Sequence, residues 1–204
     1  SIVMANLGKV TVDEMIDADG DGQVLLATKT GPIGTNVVIT DASITLNTNV
    51  LSDRGVVSVI SANDVFQNAN GDISTAGGDI DVLAKGGSIV MQDGALADSG
   101  GGNVIYFATT NLVLGGIHAS TGQVVVAATG GSISDAGDTY TNVTAHEVQF
   151  FTPAGGVGAP TNAIETSVDR LAAFAANGSV VIAETDDLEI GTVGPVNGRV
   201  VLPD

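Results

Sequence analysis

One short pattern recurs along this chain at nearly constant spacing, and such a repeat leaves few folds open. Gly78-Asp79-Ile80-Asp81-Val82-Leu83-Ala84, Gly102-Asn103-Val104-Ile105-Tyr106-Phe107-Ala108 and Gly122-Gln123-Val124-Val125-Val126-Ala127-Ala128 share the form Gly-x-(Ile/Val)-x-(Val/Tyr)-x-Ala. Gly55-Val56-Val57-Ser58-Val59-Ile60 starts the same way one interval before Gly78. The Gly-Gly-Ser-Ile of Gly86–Ile89 returns at Gly130–Ile133, and that shift equals the whole distance from Gly78 to Gly122. Spaced self-similarity of this kind is the mark of a stacked repeat architecture.

A strand built this way cannot bury its apolar face alone, and stacking copies solves the problem. Side chains alternate across a strand, so Ile80, Val82 and Ala84 share one face. The next coil adds Val104, Tyr106 and Ala108 to it, and the third adds Val124, Val126 and Ala128. Each unit is read as opening on a chain-reversing glycine. Asp79, Asp81, Asn103 and Gln123 suit the outside, whereas Leu83, Phe107 and Val125 leave that outside less than uniformly wet. The expected fold is an all-β parallel β-helix of roughly 8–9 coils, a rod on the order of 40 Å long at about 4.8 Å per strand.

Composition agrees and narrows the chemistry. The 204 residues are 44% hydrophobic, which argues against disorder, but only 3% aromatic with no tryptophan, so Val, Ile, Leu and Ala must build the core. The 28 glycines lie at strand boundaries and follow no collagen period. A formal charge of −17 disfavours nucleic acid and anionic membranes, both of which need clustered Lys and Arg. The absence of cysteine removes disulfides and thiolate metal sites. No apolar run approaches the length of a membrane span.

Residues 1–54 read as N-terminal coils or a capping element carrying an acidic turn, and residues 55–204 as repeats, in one continuous domain. Gly8-Lys9-Val10-Thr11-Val12 and Gly22-Gln23-Val24-Leu25-Leu26 show the pattern early. Gly31-Pro32 breaks it, with short strands expected at 36–40 and 43–46. Val148-Gln149-Phe150, one repeat interval after Val124, fits the same strand again. In residues 166–176, Val168, Leu171, Ala172 and Ala175 have helical spacing, but the repeat start that follows favours a strand. Gly178-x-Val180-x-Ile182 and Gly198-x-Val200-x-Leu202 read as two further copies. An array without polar caps is expected to belong to a longer chain.

Gly87-Ser88-Ile89, Gly102-Asn103-Val104 and Gly131-Ser132-Ile133-Ser134-Asp135-Ala136-Gly137-Asp138 resemble repeat units of filamentous-haemagglutinin-like giant bacterial surface proteins. So does the run from Ala163 to Ala173 with Gly178-Ser179-Val180 and Asp187-Leu188-Glu189-Ile190-Gly191. The likeness covers roughly residues 55–193 and marks a repeat style. It implies a right-handed parallel β-helix, secretion to the cell surface, and a non-catalytic stalk, adhesin or matrix role. The stretch 1–50 departs from it.

Candidate sites are few. Asp17, Asp19 and Asp21 have the Asp-x-Asp-x-Asp-Gly spacing that starts an EF-hand, but Thr28 stands where the bidentate Glu belongs, which excludes a full one. A partial calcium turn and a solvated acidic turn both fit. Gly77-Gly78-Asp79-Ile80-Asp81 lacks the third glycine of the calcium β-roll, and its repeat is too long. Asp135 with Asp138, and Glu184 with Asp186, Asp187 and Glu189, offer paired acids, but six dispersed Lys and Arg and scarce aromatics speak against a polysaccharide-active enzyme. His118 and His146 show no partner at ligand spacing. Tyr106, Phe107, Phe150 and Phe151 suit core or coil-to-coil stacking, and Asn103 and Asn111 suit bonding to turn backbone.

The expectation is therefore a non-catalytic structural or adhesive module, with a calcium-responsive assembly module as the alternative. Its partners would be adjacent repeats, further copies of itself or a surface glycan, without nucleic acid or membrane insertion.

Overall fold

In a computed structural model describing residues 1–33, 37–137 and 139–194, the chain is a parallel β-solenoid of about eight turns with no helix among the described residues. Each coil crosses three faces. The first face stacks Ile2–Leu7, Val24–Lys29, Val57–Ser61, Ile80–Ala84, Val104–Ala108 and Gln123–Ala128, then the later halves of Val143–Thr152 and Ile164–Ala175. The second stacks Val10–Val12, Ile44–Leu46, Val65–Gln67, Ile89–Met91, Leu112–Leu114 and Ile133–Asp135. The third runs from Ile16–Ala18 through Val50–Ser52, Ile73–Thr75, Leu96–Asp98 and Gly116–His118 to the early halves of the two long strands. Those long strands round a corner without a break, which joins the first and third faces into one 15-stranded sheet. An antiparallel hairpin, Gly31–Ile33 with Val37–Ile39, interrupts the second coil.

The core is the set of columns that the repeat implies. Ile80, Val82 and Ala84 pair in register with Val104, Tyr106 and Ala108, and these with Val124, Val126 and Ala128; all nine side chains are fully buried. Burial of each Val or Ile removes enough apolar surface to contribute about 1.5–3 kcal/mol. Tyr106 fits this aliphatic column because its hydroxyl donates to Gln67 Oε1 at 2.8 Å, and Gln67 Nε2 donates to the Leu96 carbonyl at 2.9 Å. Outside, Leu83, Phe107, Ala127, Phe151 and Phe174 line up in register, with Phe151 and Phe174 stacked at 5.4 Å.

The glycines that open the repeat do a different job from the one expected. Gly55, Gly78, Gly102 and Gly122 are absent from the residues with positive φ, so no chain reversal depends on them. They form a column in which a Cβ on any member would run into the carbonyl group of the glycine one coil back. Coil stacks on coil so closely at this corner that only a hydrogen atom fits.

Asx side chains tie neighbouring coils together. Asp79 Oδ1 accepts from the Asn103 N–H at 2.9 Å, Asn103 Oδ1 from the Gln123 N–H at 3.0 Å, and Asn111 Oδ1 from the Ser132 N–H at 3.0 Å. Asn103 and Asn111 thus have the backbone duty expected of them. Asp81, by contrast, is 3% exposed, and its place on the outward side of the strand does not leave it in water.

Residues 166–176 lie almost wholly in the strand Ile164–Ala175, as favoured, and Val148 pairs with Val124. Two matches to the repeat pattern sit elsewhere than expected. Val10–Val12 and the Val180 bridge to Val157 belong to the second face, and Ile182 pairs with Ile164 on the third. Asn36, Asp138 and the copy at 198–202 lie outside the described residues.

Candidate functional site

The corner from third face to first face changes length along the rod, and that change creates the site. Four residues separate Ser52 from Val57, Thr75 from Ile80, Ser99 from Val104 and Ala119 from Val124. Only two separate Ala145 from Val148 and Val168 from Leu171. The corner therefore steps inward after the Ala119–Val124 loop, leaving an open groove of about 500 Å³. Ser120 and Thr121 form its wall, and Thr144 and Ser167 sit on neighbouring strands of its floor.

His146 occupies the place where the glycine column would continue: its N–H donates to the Gly122 carbonyl at 3.1 Å. With the corner shortened, a side chain fits there. Its Nδ1 lies 2.7 Å from Asp169 Oδ2, at the equivalent place one coil on, and both groups are more than half exposed. This corrects the expectation that His146 has no partner. The repeat period was the available signal, since one interval beyond His146 the chain reaches Asp169. Ser167 Oγ donates to Asp186 Oδ2 at 3.2 Å, so its proton is directed to a carboxylate. Ser120, on the wall, is the one non-glycine with positive φ (49°) among the described residues, a conformation costing about 1–2 kcal/mol.

A polar ladder backs the groove. Glu147, 6% exposed, accepts from Gln123 Nε2 and from Arg170 Nη1, each at 2.7 Å, while Arg170 Nη2 reaches Glu189 Oε2 at 3.0 Å. Hydrogen bonding to Glu189, with its charge and that of Glu147, holds the Arg170 guanidinium above its usual range.

The remaining candidates are placed as follows. Asp17 is exposed within Ile16–Ala18, and Asp19 and Asp21 flank Gly20 in the longest version of the same corner. The carboxylate that binds this turn is Asp53 of the next coil, which accepts from the Gly20 N–H at 2.9 Å. Among the described residues no three His, Asp or Glu side chains are grouped to hold a metal ion. Asp135 accepts from Gly137 N–H and Asn142 Nδ2, and Glu184 accepts from Thr166 Oγ1. Asp187 is exposed. His118 meets Tyr140 edge-on at 6.2 Å.

Comparison with family models, curated proteins and solved structures gives no match. The fold defines the class, a β-solenoid repeat protein.

Proposed function

We propose that this chain is a non-catalytic structural and adhesive segment of a large secreted bacterial surface or matrix protein, of the filamentous-haemagglutinin-like kind. The observation that carries this reading is the open first coil. Ile2–Leu7, Val10–Val12 and Ile16–Ala18 each end a sheet, so each offers an unpaired strand edge. Met4, in register with the buried Leu26, is 41% exposed at that end. Such an edge is a template for another parallel coil, and a second copy of this chain can supply one. A rod of laterally bonded coils then projects whatever it carries.

Sedimentation velocity over a concentration series, in calcium and in chelator, tests this. The expected result is growth of mass with concentration in both buffers, abolished by Met4→Lys with an unchanged circular dichroism spectrum. A monomer at every concentration overturns end-to-end stacking. Growth confined to calcium replaces it with ion-built assembly, and Asp17, Asp19 and Asp21 become the residues to mutate.

A further inference from the structure

We infer that the stepped groove at His146 binds a neutral oligosaccharide, an inference that rests on the adhesive reading and names its ligand class. The groove presents hydroxyls from Ser120, Thr121, Thr144 and Ser167 on successive coils, about 4.8 Å apart along the rod. The Ser120, Thr121 and Thr144 hydroxyls can donate and accept, while Ser167, whose proton goes to Asp186, is left to accept; together they match the mixed hydrogen bonding of a sugar chain. Asp169 and Asp186 supply acceptors among them, and each is already oriented, by His146 and by Ser167.

The same contacts argue against other ligands. Among the described residues His146 is the sole basic group on the lining, too little for a phosphate or sulfate on a chain of net charge −17. Both carboxylates are engaged within the groove, so neither is a lone charge awaiting an ammonium group. Among the described residues no Phe or Tyr ring lies on the lining, which removes the stacking platform of tight sugar sites and makes the expected binding weak. The built-in strain at Ser120 fits a wall residue held in place for contact.

The chain has only two histidines, so imidazole proton resonances report this groove directly by NMR. Titration with cellotetraose and with mannotetraose is expected to shift the His146 signals in a saturable way, and those of His118, one strand away from Thr144, less. Asp169→Ala alters an exposed side chain and is expected to weaken binding about tenfold, the loss of one charge-assisted hydrogen bond. Ser120→Gly relieves the positive φ, folds at least as well, and is also expected to weaken binding. Unmoved His146 signals with both sugars overturn the inference. So do shifts confined to His118, unchanged affinity in both variants, or a response to tetralysine alone, which would make the groove a basic-peptide site. Run also on the Met4→Lys chain, in which end-to-end growth is abolished, the titration reads the groove alone and fails or succeeds independently of the sedimentation result.

Discussion

Replacing Gly102 by alanine tests the reason for the repeat. The added methyl would overlap the Gly78 carbonyl oxygen, with the carbonyl carbon at 2.6 Å and the Asp79 nitrogen at 3.0 Å. All three are backbone atoms, so no rotamer change relieves the clash. The two coils must part at this corner, at the overpacking cost of about 1–3 kcal/mol. Parting also weakens the two bonds that cross between these coils, Thr75 Oγ1 to the Ser99 carbonyl (3.0 Å) and Asn103 N–H to Asp79 Oδ1 (2.9 Å), about 1 kcal/mol each. Against this, alanine restricts the unfolded chain and returns about 0.4–1 kcal/mol. The net loss is about 3 kcal/mol, a fall in Tm of about 6–12 °C for a chain of this size. Gly20→Ala is the control: φ is +63° and nothing lies within 4 Å of the added methyl. It carries only the left-handed penalty, about 1 kcal/mol, or about 2–4 °C. Thermal melts by circular dichroism compare the two. If Gly102→Ala melts no lower than Gly20→Ala, close coil approach is not why glycine stands there.

Tyr106→Phe leaves the buried Gln67 Oε1 without its donor and is expected to cost about 1–3 kcal/mol; adding Gln67→Leu should recover part of it in denaturant melts. Arg170→Ala leaves the Glu147 carboxylate buried with Gln123 as its one remaining hydrogen-bond donor among the described residues. It is expected to lower Tm by several degrees, more than Lys9→Ala at the exposed Asp41 pair does, with Glu147→Gln restoring stability. Burial holds the Asp72 carboxyl above its usual range, partly offset by the Leu96 N–H it accepts. A raised acid is a liability while ionised, so Asp72→Asn, which keeps that acceptor, should melt higher at neutral pH. The gain should vanish as pH falls through the acid range and the native carboxyl is protonated; equal melts at neutral pH would contradict this.

The fold was legible because the inward residues repeat in type as well as in spacing: Val57, Ile80, Val104, Val124 and Val148 occupy one column. The period even placed Val148, after the glycine signature had lapsed. Matching glycines alone misled. Gly8 and Gly178 precede strands on other faces, since any tight corner selects a small residue. The groove was hidden because it arises from a loop shortened by two residues, and such a deletion leaves no motif. His146 and Asp169 meet only once the coil period is applied to them. The burial of Asp81 was also illegible, because strand alternation decides which side a residue faces and not what lies over it.

Gly55, Gly78, Gly102 and Gly122 are buried, each turned toward the carbonyl group of the coil behind it. What faces outward at this corner changes from coil to coil: Asp53 and Arg54, then Ala76 and Gly77, then Gly100, then Ser120 and Thr121 are its exposed residues. Where the column ends the loop shortens, and His146 and Asp169 take the corner. The corner thus separates spacing from display: buried glycines set how closely the coils sit, while the exposed loop residues are free to differ on every coil.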